Sequence, residues 1–210
     1  MKVPALRSRK ACVTGIPLAG LVLVGNCIFA QNSDQPDTKA FLRQTMSPVA
    51  GAQAAAGAAI GQARDVPEEW GQSGGGFAKR LGSAFGKHVV HESIRYAVAK
   101  MRHERLGYRP SGKEGFGPRL KYALMSTVIT QKTTDESKTP AVGELSGAFG
   151  SGLISRLWQP ASTRTVASGI ASGGIALGVD AAGHVVREFW PEIRHPRRHS
   201  DRVRAAPLQP

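Results

Sequence analysis

Cysteine is nearly missing from this chain. Its two copies, Cys12 and Cys27, both fall within the first 30 residues, and no other follows. That excludes an internal disulfide framework, a thiolate nucleophile and a thiolate metal site beyond that point. Stability must come from packing, a membrane or a partner. Acid is scarce as well, with 15 Asp and Glu against 28 Lys and Arg, for a net charge of +13. Aromatic residues make up only 6% of the chain, so any core has to rely on aliphatic and small side chains. Strand-type alternation is lacking throughout, which points to an all-α fold.

What the start of the chain does contain is ordered. Lys2, Arg7, Arg9 and Lys10 precede an apolar run from Ala11 to Ala30, and polar Gln31-Asn32-Ser33-Asp34 follows. A basic stretch, a short apolar segment and a small residue form the pattern of a secretory signal, with cleavage expected near Ala30. Gly15, Pro17, Gly20, Gly25 and Asn26 interrupt the apolar run, which argues against an uncleaved anchor. Val24-Gly25-Asn26-Cys27 weakly resembles a lipidation site, with Asn26 where a small residue is needed. Without its first 30 residues the chain keeps a charge of +9. For an exported protein that excess favours anionic lipid or an acidic envelope polymer as partner, and no nucleic acid is expected. The expected location is the periplasm or the outer membrane.

Four segments follow from composition: a signal peptide at 1–30, a flexible leader at 31–46, a helical domain at 47–191 and a disordered Arg- and Pro-rich tail at 192–210. The domain reads as a small bundle of four to five helices. Ser47-Pro48 caps a first helix made almost wholly of Ala, Gly and Gln up to Ala63. A second runs from about Phe77 to Glu104. Its apolar face rotates by about half a turn at Gly86, so either the helix kinks there or it is sandwiched between two neighbours. Pro118 opens a third, and Thr139-Pro140 caps a fourth that ends at Trp158-Gln159-Pro160. The fifth spans about Ser162 to Trp190, stopped by Pro191.

Glycine recurs at four-residue spacing inside these helices. Gly82 and Gly86 mark the second helix, Gly143 and Gly147 the fourth, and Gly169, Gly173, Gly174 and Gly178 the fifth. Glycine costs a helix interior about 1 kcal/mol relative to alanine, so the repetition needs a compensating reason. Close helix–helix approach supplies one, within the chain or in a homo-oligomer. Thr165 to Val179 carries no charge at all, which suits a helix buried in protein, packed in an oligomer, lying on a membrane or crossing one.

The chemistry-bearing residues are sparse. His88-Val89-Val90-His91-Glu92 puts two imidazoles and a carboxylate within about one turn, but in neither the HExxH nor the HxxEH order. Arg95 stands one turn on, where its charge opposes a dication, so the expectation is a solvated polar face and no metal. Neither Ser83 nor Ser151 lies in a strand-to-helix nucleophile elbow, and Asp180 with His184 lacks a nucleophile. No catalytic residue and no cofactor are assigned. Lys79, Arg80, Lys87, Arg95, Lys100 and Arg102 form the candidate anionic-surface face of the second helix.

The segments Glu69-Trp70-Gly71-Gln72, Lys79-Arg80-Leu81-Gly82-Ser83-Ala84-Phe85-Gly86 and Ser146-Gly147-Ala148-Phe149-Gly150, with Trp158-Gln159-Pro160, resemble an uncharacterised family of exported bacterial envelope proteins. The resemblance covers about Pro67 to Pro191 and carries no activity and no site residues. The expectation is a structural or interaction protein of the envelope. The alternative is a soluble periplasmic domain with a hydrolytic or ligand-binding activity, which a convergent acid, base and nucleophile in a pocket would favour, whereas a flat basic apolar surface would favour the structural or interaction role.

Overall fold

The computed structural model describes residues 38–194. The expected signal peptide at 1–30, the leader up to residue 37 and the tail from His195 lie outside the described residues. The all-α class holds, with five helices of ten residues or more, one shorter helix and a single small hairpin among the described residues. In chain order these are α1 (Thr38–Thr45), α2 (Pro48–Ala63), α3 (Gly74–Arg102), α4 (Phe116–Met125), β1 (Ile129–Gln131), β2 (Lys138–Pro140), α5 (Val142–Ile154) and α6 (Val166–Arg194).

Local chemistry marks three of the helix boundaries. Ser47 caps α2 by accepting from the Ala50 N–H at 3.1 Å, with Pro48 in the first turn. Ser73 does the same for α3 through Gly76 N–H at 3.3 Å, and His103 ends that helix in the left-handed conformation. Expectation and structure part at four places. Residues 38–45 of the expected leader are helical, fastened to α3 by a Phe41–Tyr96 ring contact at 4.9 Å and a Thr38–Tyr96 hydrogen bond at 3.1 Å. Thr139-Pro140 pairs with Ile129 and Thr130 in the hairpin, so α5 starts two residues later. α6 begins at Val166 and runs through Pro191 to Arg194, since a proline in the last turn removes only one terminal hydrogen bond. Finally, the polar stretch after Thr130 contains the hairpin turn.

α3 does not break at Gly86. It runs for 29 residues and is sandwiched, with α2 on one side and α5 on another. α5 also packs on α6, and α6 on α4. The core is alanine-built: Ala50, Ala54, Ala56, Ala58, Ala99, Ala123, Ala141 and Ala148 are buried, while Ile170, Ile175 and Leu157 lie exposed.

Such small side chains let helices approach closely, and α5 uses both of its glycine faces. A Cβ on Gly147 would lie 2.5 Å from His91 Cδ2 of α3, and one on Gly143 would lie 3.2 Å from Ala99 Cβ. On the opposite side a Cβ on Gly152 would meet Gly173 N at 2.9 Å and Gly169 O closer still, while one on Gly173 would meet Phe149 Cδ1 at 2.7 Å. Close packing thus occurs at Gly143, Gly147, Gly169 and Gly173. Gly82, Gly174 and Gly178 instead face open space, and Gly86 has only Trp158 within ordinary contact distance at 3.9 Å.

Candidate functional site

The sandwiching of α3 turns its polar face inward. His91 and Glu92 are buried, and Arg95 reaches across to α5, where its Nε lies 2.6 Å from Glu144 Oε2. Arg95 also donates from Nη1 to Glu92 at 3.1 Å and from Nη2 to the Leu106 carbonyl at 2.6 Å. The second oxygen of Glu144, Oε1, is 3.8 Å from His91 Nε2. From α6, Asp180 brings a carboxyl oxygen within 4.8 Å of this carboxylate and of the His91 ring. The solvated-face expectation for His88, His91, Glu92 and Arg95 is therefore corrected: this is the polar centre of the bundle.

Burial controls the titration of these groups. Removal from water works against the Arg95 charge, but the carboxylates of Glu144 and Glu92 outweigh it and hold the guanidinium ionised. Burial likewise opposes ionisation of Glu144, yet Arg95 and then His91 keep its carboxyl below the usual range. Asp180 lacks that compensation. Burial and the neighbouring Glu144 push it well above the ordinary carboxylate value. Desolvation also lowers His88 and His91, and takes His184 down to about 4.

Above this centre opens a cavity of about 480 Å³. Arg95, Glu144 and His184 lie in its wall, with Leu106, Tyr108, Tyr122, Met125 and Ile129 as apolar lining. Cations dominate: Arg105, Arg109, Lys113, Lys121 and Lys138 join Arg95 against Glu104 and Glu144. Glu104 is already committed, accepting from Gly143 N–H at 2.8 Å and Arg102 Nε at 2.7 Å.

One wall is the loop between α3 and α4, and a single buried carboxylate fastens it. Glu188 of α6 accepts from Tyr108 Oη at 2.7 Å, Ser111 N–H at 2.9 Å, Ser111 Oγ at 2.5 Å and Arg119 Nε at 3.1 Å. Burial raises the cost of the Glu188 charge, but these donors prevail and its carboxyl stays low. Arg119 also grips Glu192 and the Glu188 carbonyl, and its guanidinium lies 4.5 Å from the Phe189 ring centroid.

The expected surface cations divide. Arg80 is 3% exposed and caged by the carbonyls of Val66, Pro67 and Gly71 with Gln62 and Asp65. Lys87 is half-buried and donates to Ser172 Oγ at 2.9 Å. With Arg95 also interior, Lys79, Lys100 and Arg102 are the exposed members of the six. Arg80 and Arg95 are interior for one reason, since backbone carbonyls and carboxylates inside the bundle draw in these long donors, whereas Lys87 meets a hydroxyl.

Asp180 and His184 do not pair. Asp180 turns to Glu144, while His184 Nδ1 meets Thr127 Oγ1 at 3.2 Å and its ring stacks on Tyr108 at 4.6 Å. Ser83 accepts from Trp158 and Gln159, and Ser151 donates to the Ala148 carbonyl, so both are structural. Two spacings went unused in the sequence. Gly71-Gln72-Ser73-Gly74-Gly75 has the GxSxG form, but Ser73 is the α3 cap and follows a helical turn. Gly107 to Lys113 has the GxxxxGK spacing in the cavity wall, but Glu114 replaces the hydroxyl residue and the Ser111 N–H points to Glu188. Comparison with family models, curated proteins and solved structures finds no match to this chain.

Proposed function

We propose that this chain is a ligand-binding helical domain of the bacterial envelope that takes up a small anion with an apolar portion. The observation that carries the proposal is the cavity: about 480 Å³, with cations outnumbering carboxylates around an apolar and aromatic lining. That volume is in the range of small-molecule sites, roughly 300–1,000 Å³. Its chemistry suits a carboxylate, sulfonate or phosphate head held by Lys113, Lys121 and Lys138, with an aliphatic or aromatic body against Tyr122, Met125 and Ile129. The envelope setting rests on the basic–apolar–small order of residues 1–30 and on the resemblance of 67–191 to exported proteins.

A second reading is attachment to the envelope surface. α6 favours it, because Val166, Ile170, Ile175 and Val179 are all exposed on a helix long and apolar enough to cross a membrane. The other side of α6 carries Asp180, His184 and Glu188 into the bundle, so an intact domain would lay this helix on a membrane rather than through it.

Calorimetry with decanoate, decanol and decyltrimethylammonium below their micelle concentrations tests both. Decanoate is expected to bind one to one, decanol at least about tenfold more weakly, and the cation not at all. The Lys113→Gln/Lys121→Gln variant should weaken decanoate by about tenfold. Equal binding of the cationic amphiphile would overturn the cavity proposal. Binding to anionic vesicles, indifferent to those two lysines, would support surface attachment instead.

A further inference from the structure

The three side chains that meet at the polar centre come from three different helices and are of metal-ligand type. His91 on α3, Glu144 on α5 and Asp180 on α6 each offer a ligand atom, and these atoms all lie within 4.8 Å of one another. We propose that His91, Glu144 and Asp180 bind one divalent transition-metal ion of the zinc or manganese class. Two ligands of one ion, each about 2.0–2.2 Å from it, stand about 3–4 Å apart, so the set closes on an ion by small side-chain rotations. One imidazole with two carboxylates suits zinc, manganese or iron(II) and leaves coordination positions open.

An independent observation points the same way. His91 is 9% exposed, its Nε2 is buried and has no hydrogen-bond partner, and Asp180 Oδ2 is in the same condition. A buried polar atom left unmatched costs free energy, and His91 Nε2 faces Glu144 Oε1 across 3.8 Å, too far for a hydrogen bond. An ion between them would satisfy both.

In the sequence alone, Arg95 opposes a dication. In the fold its guanidinium is matched by Glu92 through Nη1 and by one oxygen of Glu144 through Nε, which leaves Oε1 of Glu144 turned toward His91. Glu92, Glu144 and Asp180 thus gather around a single guanidinium, a carboxyl-rich centre of the kind that accepts a cation. Gly147 makes room for the ligand, since any side chain there would fall on the His91 ring. Glu144 and Arg95 also line the cavity, which places it directly beside the site. The metal site shares Glu144 with the cavity wall but does not rest on the anionic ligand proposed above.

The test uses the full chain, stripped with chelator and then dialysed against Zn²⁺ or Mn²⁺, with bound metal counted by plasma mass spectrometry. One ion per chain is expected, bound at least about tenfold more weakly in His91→Gln and in Asp180→Asn. A chain with His195→Asn and His199→Asn should bind as the parent does, which separates the site from the histidines of the tail. Cobalt(II) on the parent chain is a readout that needs no variant: visible d–d bands of a nitrogen–oxygen site should appear and saturate at one equivalent. Absence of stoichiometric metal and of those bands in the folded parent would overturn the proposal. So would full binding by either folded ligand variant.

Discussion

Replacing Gly152 with alanine probes the closest glycine approach between α5 and α6 among the described residues. The added methyl carbon would lie 2.9 Å from Gly173 N and closer still to Gly169 O, and both are backbone atoms that no rotamer change can move away. Relief requires α5 and α6 to separate by something on the order of 1 Å along their seam, and overpacking of this kind typically costs about 1–3 kcal/mol. Alanine returns only about 1 kcal/mol of helix propensity. Because the obstacle is main chain, the cost falls at or above the top of that range, and a net loss of about 2 kcal/mol is expected. For a domain of this size each kcal/mol moves Tm by roughly 2–4 °C, so the variant should melt about 4–8 °C below the parent. Gly174→Ala is the matched control on α6. Nothing lies within 4 Å of its added Cβ, so it should gain up to about 1 kcal/mol and melt slightly higher. Circular dichroism melts of the two variants decide the matter. Equal shifts of the same sign, or a Gly152→Ala protein as stable as the parent, would refute the claim that glycine sets this helix spacing.

Three further outcomes follow from the buried polar groups. Arg80→Met leaves the carbonyls of Val66, Pro67 and Gly71 without their donor and should cost about 2–4 kcal/mol in denaturant melts, whereas exposed Lys79→Met should change stability by under about 0.5 kcal/mol. Glu188→Gln keeps the shape but loses the charge that holds Tyr108, Ser111 and Arg119, so amide hydrogen exchange should accelerate between residues 105 and 115 while α2 stays protected. His184 is held down to about 4, below its unfolded value near 6.5, so between those values the unfolded chain binds more protons. Stability should therefore fall as pH drops from about 6.5 to 4, by up to roughly 3 kcal/mol from this residue, and His184→Gln should flatten the profile measured by urea titration.

The longer helices were legible because their caps and spacing are local. Ser47-Pro48 and the apolar run of α6 carry their own signals, and those elements sit within a few residues of expectation. The hairpin was not legible, since strands of three residues are too short to alternate detectably. The polar centre was missed for a different reason. His88, His91, Glu92 and Arg95 share one helix face, and such a face is solvated unless another element covers it. The covering helix, α5, announces itself only through Glu144, an isolated carboxylate among glycines and apolar residues, and α6 through Asp180 in an otherwise uncharged run. A lone acid in such a setting, opposite a helix face bearing histidine and arginine, was the available clue. The Glu188 fastening of the loop joins residues nearly 80 positions apart and has no local signature.

α5 carries glycine at positions 143, 147, 150 and 152 within its 13 residues. At about 1 kcal/mol each, these residues deprive the segment of any helicity of its own, and an isolated helix of that length would not persist in water. Its coil-to-helix transition must await α3 and α6, which then clamp it from two sides. The helicity of α5 thus depends on both flanks being in place. A fragment ending before α6 should therefore lose helicity in segment 142–154. Folding of the domain is in this sense all or none, with its cooperativity residing in the helix least able to form alone.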